Sequence, residues 1–155
     1  MKKLAFFLLT ASVAQAQTAL PLTDLSAFKN PSNVWRVVRG VTGSPTSNAL
    51  TAQPGTGVLL DVPGKTPYQA ADNLLTKDDH GDIHLELDFM LPKGSNSGVY
   101  LMGRYEVQLY DSWGVKNPKY IDCGAIYQRW DESRGKGREG FEGFAPRQNA
   151  ALAPG

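Results

Sequence analysis

The residues best equipped for chemistry lie between Asn96 and Asp111, in the run NSGVYLMGRYEVQLYD, which carries Arg104, Glu106, Gln108 and Asp111. Glu106 and Gln108 are two apart in a stretch of β-type residues, so on a strand they point to one face with Cα atoms roughly 6–7 Å apart. Glu86 and Asp88 repeat that spacing on the preceding run. A carboxylate accepts hydroxyl protons, while an amide both donates and accepts. Arg104 adds a planar fork of donors, and Tyr100, Tyr110 and Trp113 offer rings that stack on the apolar face of a pyranose. Set together on a pleated surface, these groups suit a hydroxyl-rich ligand, which makes carbohydrate chemistry the leading expectation. The bland counterpart is that outward Glu and Asp on an antiparallel strand simply form its solvated face.

Strands have to position these groups. Aromatic and β-branched residues recur in short runs between Gly, Pro, Asn and Ser clusters, the pattern of an all-β sandwich. Trp35–Val38 reads as one strand and Gly57–Val62 as another. The strongest is Ile83–Leu91, in which Ile83, Leu85, Leu87, Phe89 and Leu91 alternate with His84, Glu86, Asp88 and Met90; strict period-two alternation marks a sheet with one face in the core. Pro92–Asn96 supplies a turn, Gly98–Met102 begins a strand, and Gly103-Arg104 fits a two-residue hairpin with Gly at its first central position. That tight hairpin puts Val99 and Leu101 on the face of Gln108 and Glu106. Either a bulge shifts the register or the face is a mixed apolar and polar groove, and the groove is the favoured expectation. Tyr68–Leu75 forms a short helical turn at most. Ser133–Gly143, rich in Gly and charge, is expected to be a mobile surface loop.

The N-terminus reads as an address label over residues 1–16. Lys2 and Lys3 precede the apolar run Leu4–Leu9, and Ala14-Gln15-Ala16 fits a small-x-small cleavage site. A short membrane anchor is the weaker alternative, because the run falls well below the ~20 apolar residues of a span. The mature domain then covers residues 17–155 in an exported compartment, periplasmic or extracellular, with no stable membrane insertion after cleavage. Losing Lys2 and Lys3 takes the formal charge from +1 to −1, which leaves no electrostatic footprint for nucleic acid. Cys123 is the single cysteine; it can form no intrachain disulfide and reads as a small buried apolar residue. Asp78-Asp79-His80 reads as loop, since adjacent side chains on a turn rarely converge on one ion, and His84 as a surface residue. SRGKGREG lacks the setting of a phosphate loop.

The wording of the middle of the chain adds to this. NLLTKDDHGDIHLELDFMLPKGSNSGVYLMGRYEVQLYDSWG followed by CGAIY resembles the 3-keto-disaccharide hydrolase family. The matching pieces are Glu86-x-Asp88-Phe89, Asn96-Ser97-Gly98-Val99-Tyr100, Tyr105-Glu106-Val107-Gln108, Cys123–Tyr127, and the closing Ala145-Pro146 to Pro154-Gly155. The resemblance implies an antiparallel jelly-roll β-sandwich of the concanavalin A-like lectin and glucanase type. It also implies that the chain is C-terminally incomplete, because relatives continue beyond the position of Gly155. Many relatives carry arginine where this chain has Met102, so Arg104 would have to supply that contact.

The implied substrate is a glycoside oxidised at C3 of a glucosyl ring. A C3 ketone acidifies the C2 proton, so a carboxylate can remove it while the C1 oxygen leaves, and water then adds. The resemblance makes Glu106 the base or acid with Asp88 as partner, and has Arg104 and Gln108 hold the ring and enolate oxygen. Glu86, Tyr100, Tyr110 and Trp113 complete the substrate-binding set. A divalent metal acting as Lewis acid is compatible with this chemistry, and the sequence names no ligands for it. A non-catalytic carbohydrate-binding module on the same sandwich is the alternative. An ordinary glucanase ranks last, because Glu86-x-Asp88 is followed by Met90-Leu91 and no third acid.

Overall fold

The computed structural model describes residues 18–62, 68–128 and 143–151. The expected signal segment and nearly all of the Ser133–Gly143 loop lie outside the described residues. The described chain is all-β, built from antiparallel ladders in small sheets and a single 3-10 turn at Ala70–Asp72. This agrees with a sandwich class of fold, though the described strands do not draw a full jelly roll. Among the described residues no helix is long and apolar enough to cross a membrane.

In chain order the strands are β1 (Phe28–Lys29), β2 (Trp35–Gly43), β3 (Leu50–Asp61), β4 (Leu75–Thr76), β5 (Asn96–Leu101) and β6 (Tyr105–Tyr110). They pair as β1 with β4, β2 with β3 and β5 with β6. β2 and β3 run well beyond the expected Trp35–Val38 and Gly57–Val62. Sequence reading missed their continuity because Pro54-Gly55-Thr56-Gly57 interrupts the pattern. In the structure that segment is a bulge: the register jumps between Val38↔Val58 and Gly40↔Gln53. Gly55 and Gly57 take positive φ there, and a Cβ on Gly55 would sit 2.7 Å from Arg39 Cβ. The bulge therefore needs glycine for both conformation and space. Phe28, Val38 and Leu60 are buried on these strands.

The expectation for Ile83–Leu91 is corrected. Residues 83–92 belong to no ladder, and Ile83, Leu85, Leu87 and Phe89 stay 43–52 % exposed. Period two specifies which side chains share a face; it does not supply the neighbouring backbone about 4.8 Å away that makes the segment a sheet strand. The local contact there is an exposed pair between His84 Nε2 and Glu86 Oε1 at 3.2 Å.

The hairpin of β5 and β6 is the centre of the second packed region. Its turn is not the two-residue one expected. Leu101 pairs with Tyr105, leaving Met102, Gly103 and Arg104 in the loop, with Met102 at φ 56° and Gly103 at φ 59°. The Arg104 N–H closes the turn on the Leu101 carbonyl at 3.1 Å. Two successive residues at positive φ twist the chain as a hairpin requires. The extra residue shifts the register by one, so Gly98 opposes Gln108, Tyr100 opposes Glu106 and Val99 opposes Val107. The mixed groove is thus replaced by segregated faces. A one-residue slip moves every side chain to the other side, and here it collects Gly98, Tyr100, Glu106 and Gln108 together.

The other edge of β6 is occupied by residues 124–127. Gln108 donates its N–H to the Ala125 carbonyl (2.9 Å) and accepts from Gly124 N–H (2.8 Å), while Glu106 accepts from Tyr127 N–H (2.9 Å). Ile126 bridges in turn to Phe144. At the start of the hairpin, Asp111 Oδ2 accepts from Gly94 N–H at 2.8 Å and Asp111 N–H donates to the Ser95 carbonyl at 3.1 Å. Asp111 therefore fixes the Pro92–Ser95 turn.

A polar knot anchors the last described segment. Ser112 Oγ accepts from the Cys123 N–H at 3.0 Å and donates to Asn149 Oδ1 at 2.8 Å. Asn149 Nδ2 returns to the Ser112 carbonyl at 2.6 Å. Cys123 is fully buried beneath it, as its sequence context suggests. Asn149→Ala would leave the buried Ser112 hydroxyl proton without its acceptor, though Cys123 and Val115 still donate to the Ser112 oxygens, an expected loss of about 1–3 kcal/mol. A lower urea midpoint with unchanged slope would register it.

Candidate functional site

The site is built on the face that the register shift creates. Glu106 and Gln108 use their backbone groups on the outer segment, so each faces its β5 partner as a non-hydrogen-bonded pair, the closer of the two pair types. The bridges Val107↔Ile126 and Ile126↔Phe144 set Tyr127 beside Glu106 and Gly143 beside Tyr127. One row across the sheet therefore reads Tyr100, Glu106, Tyr127, Gly143. The next reads Gly98, Gln108, Ala125, Ala145.

Glu106 is half-buried and lies back across Gly98. A Cβ built on Gly98 would come within 2.7 Å of Glu106 Cγ and 2.8 Å of its Cδ. That vacancy lets the carboxylate reach Tyr100, whose hydroxyl donates to Oε2 at 2.8 Å. Burial raises the Glu106 pKa above the ordinary carboxylate value, and the Tyr100 hydrogen bond lowers it in part. The Tyr100 phenol is pushed up by desolvation first, then by its bond to Glu106 and that group's charge. The phenols of Tyr68 and Tyr127 are near enough to act on Tyr100 in the same direction. A carboxyl with raised pKa, held by a phenol on an accessible sheet face, is suited to moving a proton.

Gln108 is 2 % exposed. Its Nε2 donates to the Ile121 carbonyl at 3.2 Å, and its Oε1 is buried with no partner. It ties the segment 118–121 over the sheet and leaves one acceptor unused. That segment is closed by Asp122, whose Oδ2 accepts from Lys119 N–H at 2.7 Å. Beyond Gln108 lies a cleft of about 520 Å³ lined by Pro118, Lys119, Tyr120, Ile121, Gly143 and Ala145. The Tyr120 and Tyr127 rings meet at its edge, 5.9 Å apart and inclined by 56°.

The other expected residues are placed less closely. Arg104 is exposed in the hairpin turn. Tyr110 follows Gln108 on the same face at the far end of β6, and Trp113 is 51 % exposed just beyond it. Glu86 and Asp88 are exposed on the 83–92 stretch, which joins no ladder among the described residues, and Glu86 meets His84 there. Among the described residues no hydrogen bond or charge interaction joins Asp88 to Glu106; the partner Glu106 does have is Tyr100. Nor do three His, Cys, Asp or Glu residues gather where a metal could be held, among the described residues. The donor set among the described residues does not fit a metal.

Three contributors were missed in the sequence: Gly98, Tyr127 and Tyr120. Gly98 stands in Asn96-Ser97-Gly98, where a strand glycine signals close approach of another group. Tyr127 and Tyr120 reach the site through a segment remote in sequence, and no local pattern reports that pairing.

Comparison with curated proteins and comparison with solved structures each return no match. A family model does match: it describes the 3-keto-alpha-glucoside-1,2-lyase-like domain and covers residues 23–155. With nearly all of its length matched, the chain belongs to the 3-keto-alpha-glucoside-1,2-lyase-like domain family.

Proposed function

We propose that this chain is an exported protein that cleaves the glycosidic bond of 3-keto-glucosides by elimination and hydration. The ionised Glu106 carboxylate takes the C2 proton, and the electron pair left behind forms the enolate with the C3 oxygen. Collapse of the enolate breaks the bond from C1 to the glycosidic oxygen, which leaves with a proton and generates an enone. Water then adds its oxygen to C1, Glu106 returns a proton to C2 after its carboxyl has exchanged with solvent, and the second water proton restores the acid. Atoms and charge balance as one water consumed per bond cleaved.

The acid at the leaving oxygen is assigned to Tyr100 or Asp88, and the 2.8 Å bond to Glu106 favours Tyr100. Arg104, exposed in the hairpin turn, is assigned to answer negative charge on the enolate oxygen. Gln108, buried beneath 118–121 and bonded to the Ile121 carbonyl, holds that segment in place beside the ring rather than touching a hydroxyl itself. The observation that carries the reading is the half-buried Glu106 carboxyl laid across Gly98 and held by Tyr100.

The test offers the full chain a 3-keto-glucoside and its unoxidised parent in deuterated water. The expected result is aglycone release from the ketone alone, with deuterium at C2 of the sugar product. Equal release from both glycosides would indicate an ordinary glycosidase. Binding without release would make the protein a carbohydrate-binding module.

A further inference from the structure

We propose that the cleft between the 118–121 segment and the Gly143–Ala145 edge is a leaving-group subsite that takes a flat, apolar aglycone. The inference rests on the reading of Glu106 as the group acting at C2. Tyr100, Glu106, Tyr127 and Gly143 form one row across the sheet. Two strand spacings separate Glu106 from Gly143, about 10 Å. That is the reach of one ring attached through C1 to the sugar whose C2 lies at Glu106.

The lining states the chemistry. Pro118, Tyr120 and Ile121 form an apolar wall, Gly143 and Ala145 a floor almost without side chains, and Lys119 is the one charged group among the described lining residues. Gly143 is required there, because a Cβ would lie 2.9 Å from Tyr120 Cβ and 2.7 Å from the Gln128 nitrogen. Tyr120, which lines the cleft and is held inclined against Tyr127, offers its ring to an aromatic guest, a pairing that such rings favour. Among the described lining residues, a sugar in the same place would find few side-chain partners for its hydroxyls beyond Lys119 and the Tyr120 phenol.

Ala145 is exposed, so a larger side chain can be introduced there without disturbing the core. The experiment uses Ala145→Trp in the full chain, with two readouts. In the first, 2-naphthol is titrated into each protein and followed by NMR shifts of the tyrosine rings. It is expected to bind the unsubstituted chain with shifts at Tyr120 and Tyr127, and about tenfold more weakly after substitution, the scale of a filled apolar pocket. In the second, kcat/KM is compared for 2-naphthyl, glucosyl and methyl 3-keto-glucosides. The naphthyl-to-methyl ratio is expected to fall about tenfold in the variant.

An unchanged affinity and an unchanged ratio would overturn the subsite. So would a loss confined to the glucosyl substrate, which would make the cleft a sugar site. Naphthol binding that responds to Ala145→Trp, with no turnover of any ketone, would uphold the cleft and sink the catalytic reading instead.

Discussion

Glu106→Gln is expected to lower kcat on a 3-keto-glucoside by ~10²–10⁴-fold, the range of a general acid–base contribution. The amide keeps the shape of the carboxyl and can still accept from the Tyr100 hydroxyl, so the local packing of β5 against β6 survives. What it loses is the ability to take the C2 proton. KM is expected to change little, which separates a chemical role from a binding one. If Glu106 is the base, kcat/KM of the unsubstituted protein rises with pH as the carboxyl ionises, with its midpoint above the ordinary carboxylate range because burial raises this group. Full turnover in the variant would remove Glu106 from the reaction.

The same variant makes a stability prediction of opposite sign. The folded state holds the Glu106 proton more tightly than the unfolded chain does. Between the ordinary carboxylate value and the raised folded value, folding therefore takes up protons, and stability falls as pH rises through that window. Glu106→Gln removes this contribution, so at neutral pH the variant is expected to be at least as stable as the parent while inactive. Asp61, raised by burial and then by the charge of Asp72, keeps part of the slope in both proteins. Urea unfolding at pH 4 and pH 7 measures the difference.

Gly98→Ala is expected to cost about 10²-fold in kcat without touching a titratable group, the scale on which a misplacement of ~1 Å acts. Gly98 lies in a strand and outside the positive-φ glycines, so alanine meets no conformational objection. The obstacle is space: its Cβ occupies the path of Glu106 Cγ and Cδ. Glu106 must swing outward, which breaks its bond to Tyr100 and returns the carboxyl to water. The acid limb of the pH profile should accordingly move down, toward the ordinary carboxylate value. Overpacking penalties run to about 1–3 kcal/mol, and an exposed escape route for Glu106 keeps this one low in that range. Glu106→Gln should cost much less in the Gly98→Ala background than alone, because both changes disable one arrangement. An unshifted pH limb would show that Gly98 does not set the carboxyl's position.

Much of this was already written in the chain. Period-two runs and Gly/Pro punctuation specify an all-β protein, and the i, i+2 spacing of Glu106 and Gln108 puts both on one face of β6 whatever partner that strand finds. Burial of Cys123 and the turn at Pro92–Asn96 are likewise local consequences of residue type. The family wording around Asn96–Gln108 directs attention to the right hairpin. Local rules reach no further than this, because they govern which side a residue faces and not what lies opposite.

Tertiary structure decided the rest. A three-residue turn at Met102–Arg104 set the register that joins Tyr100 to Glu106, and a shift of one would have sent them to opposite faces. The 124–127 segment brought Tyr127 in from a distant part of the chain and buried Gln108 beneath 118–121. Ile83–Leu91, with the strongest alternation of all, joins no ladder among the described residues, and no hydrogen bond or charge interaction there links Asp88 to Glu106. Side-chain periodicity is a property of one segment, whereas a ladder is a property of two, and the second was never encoded locally.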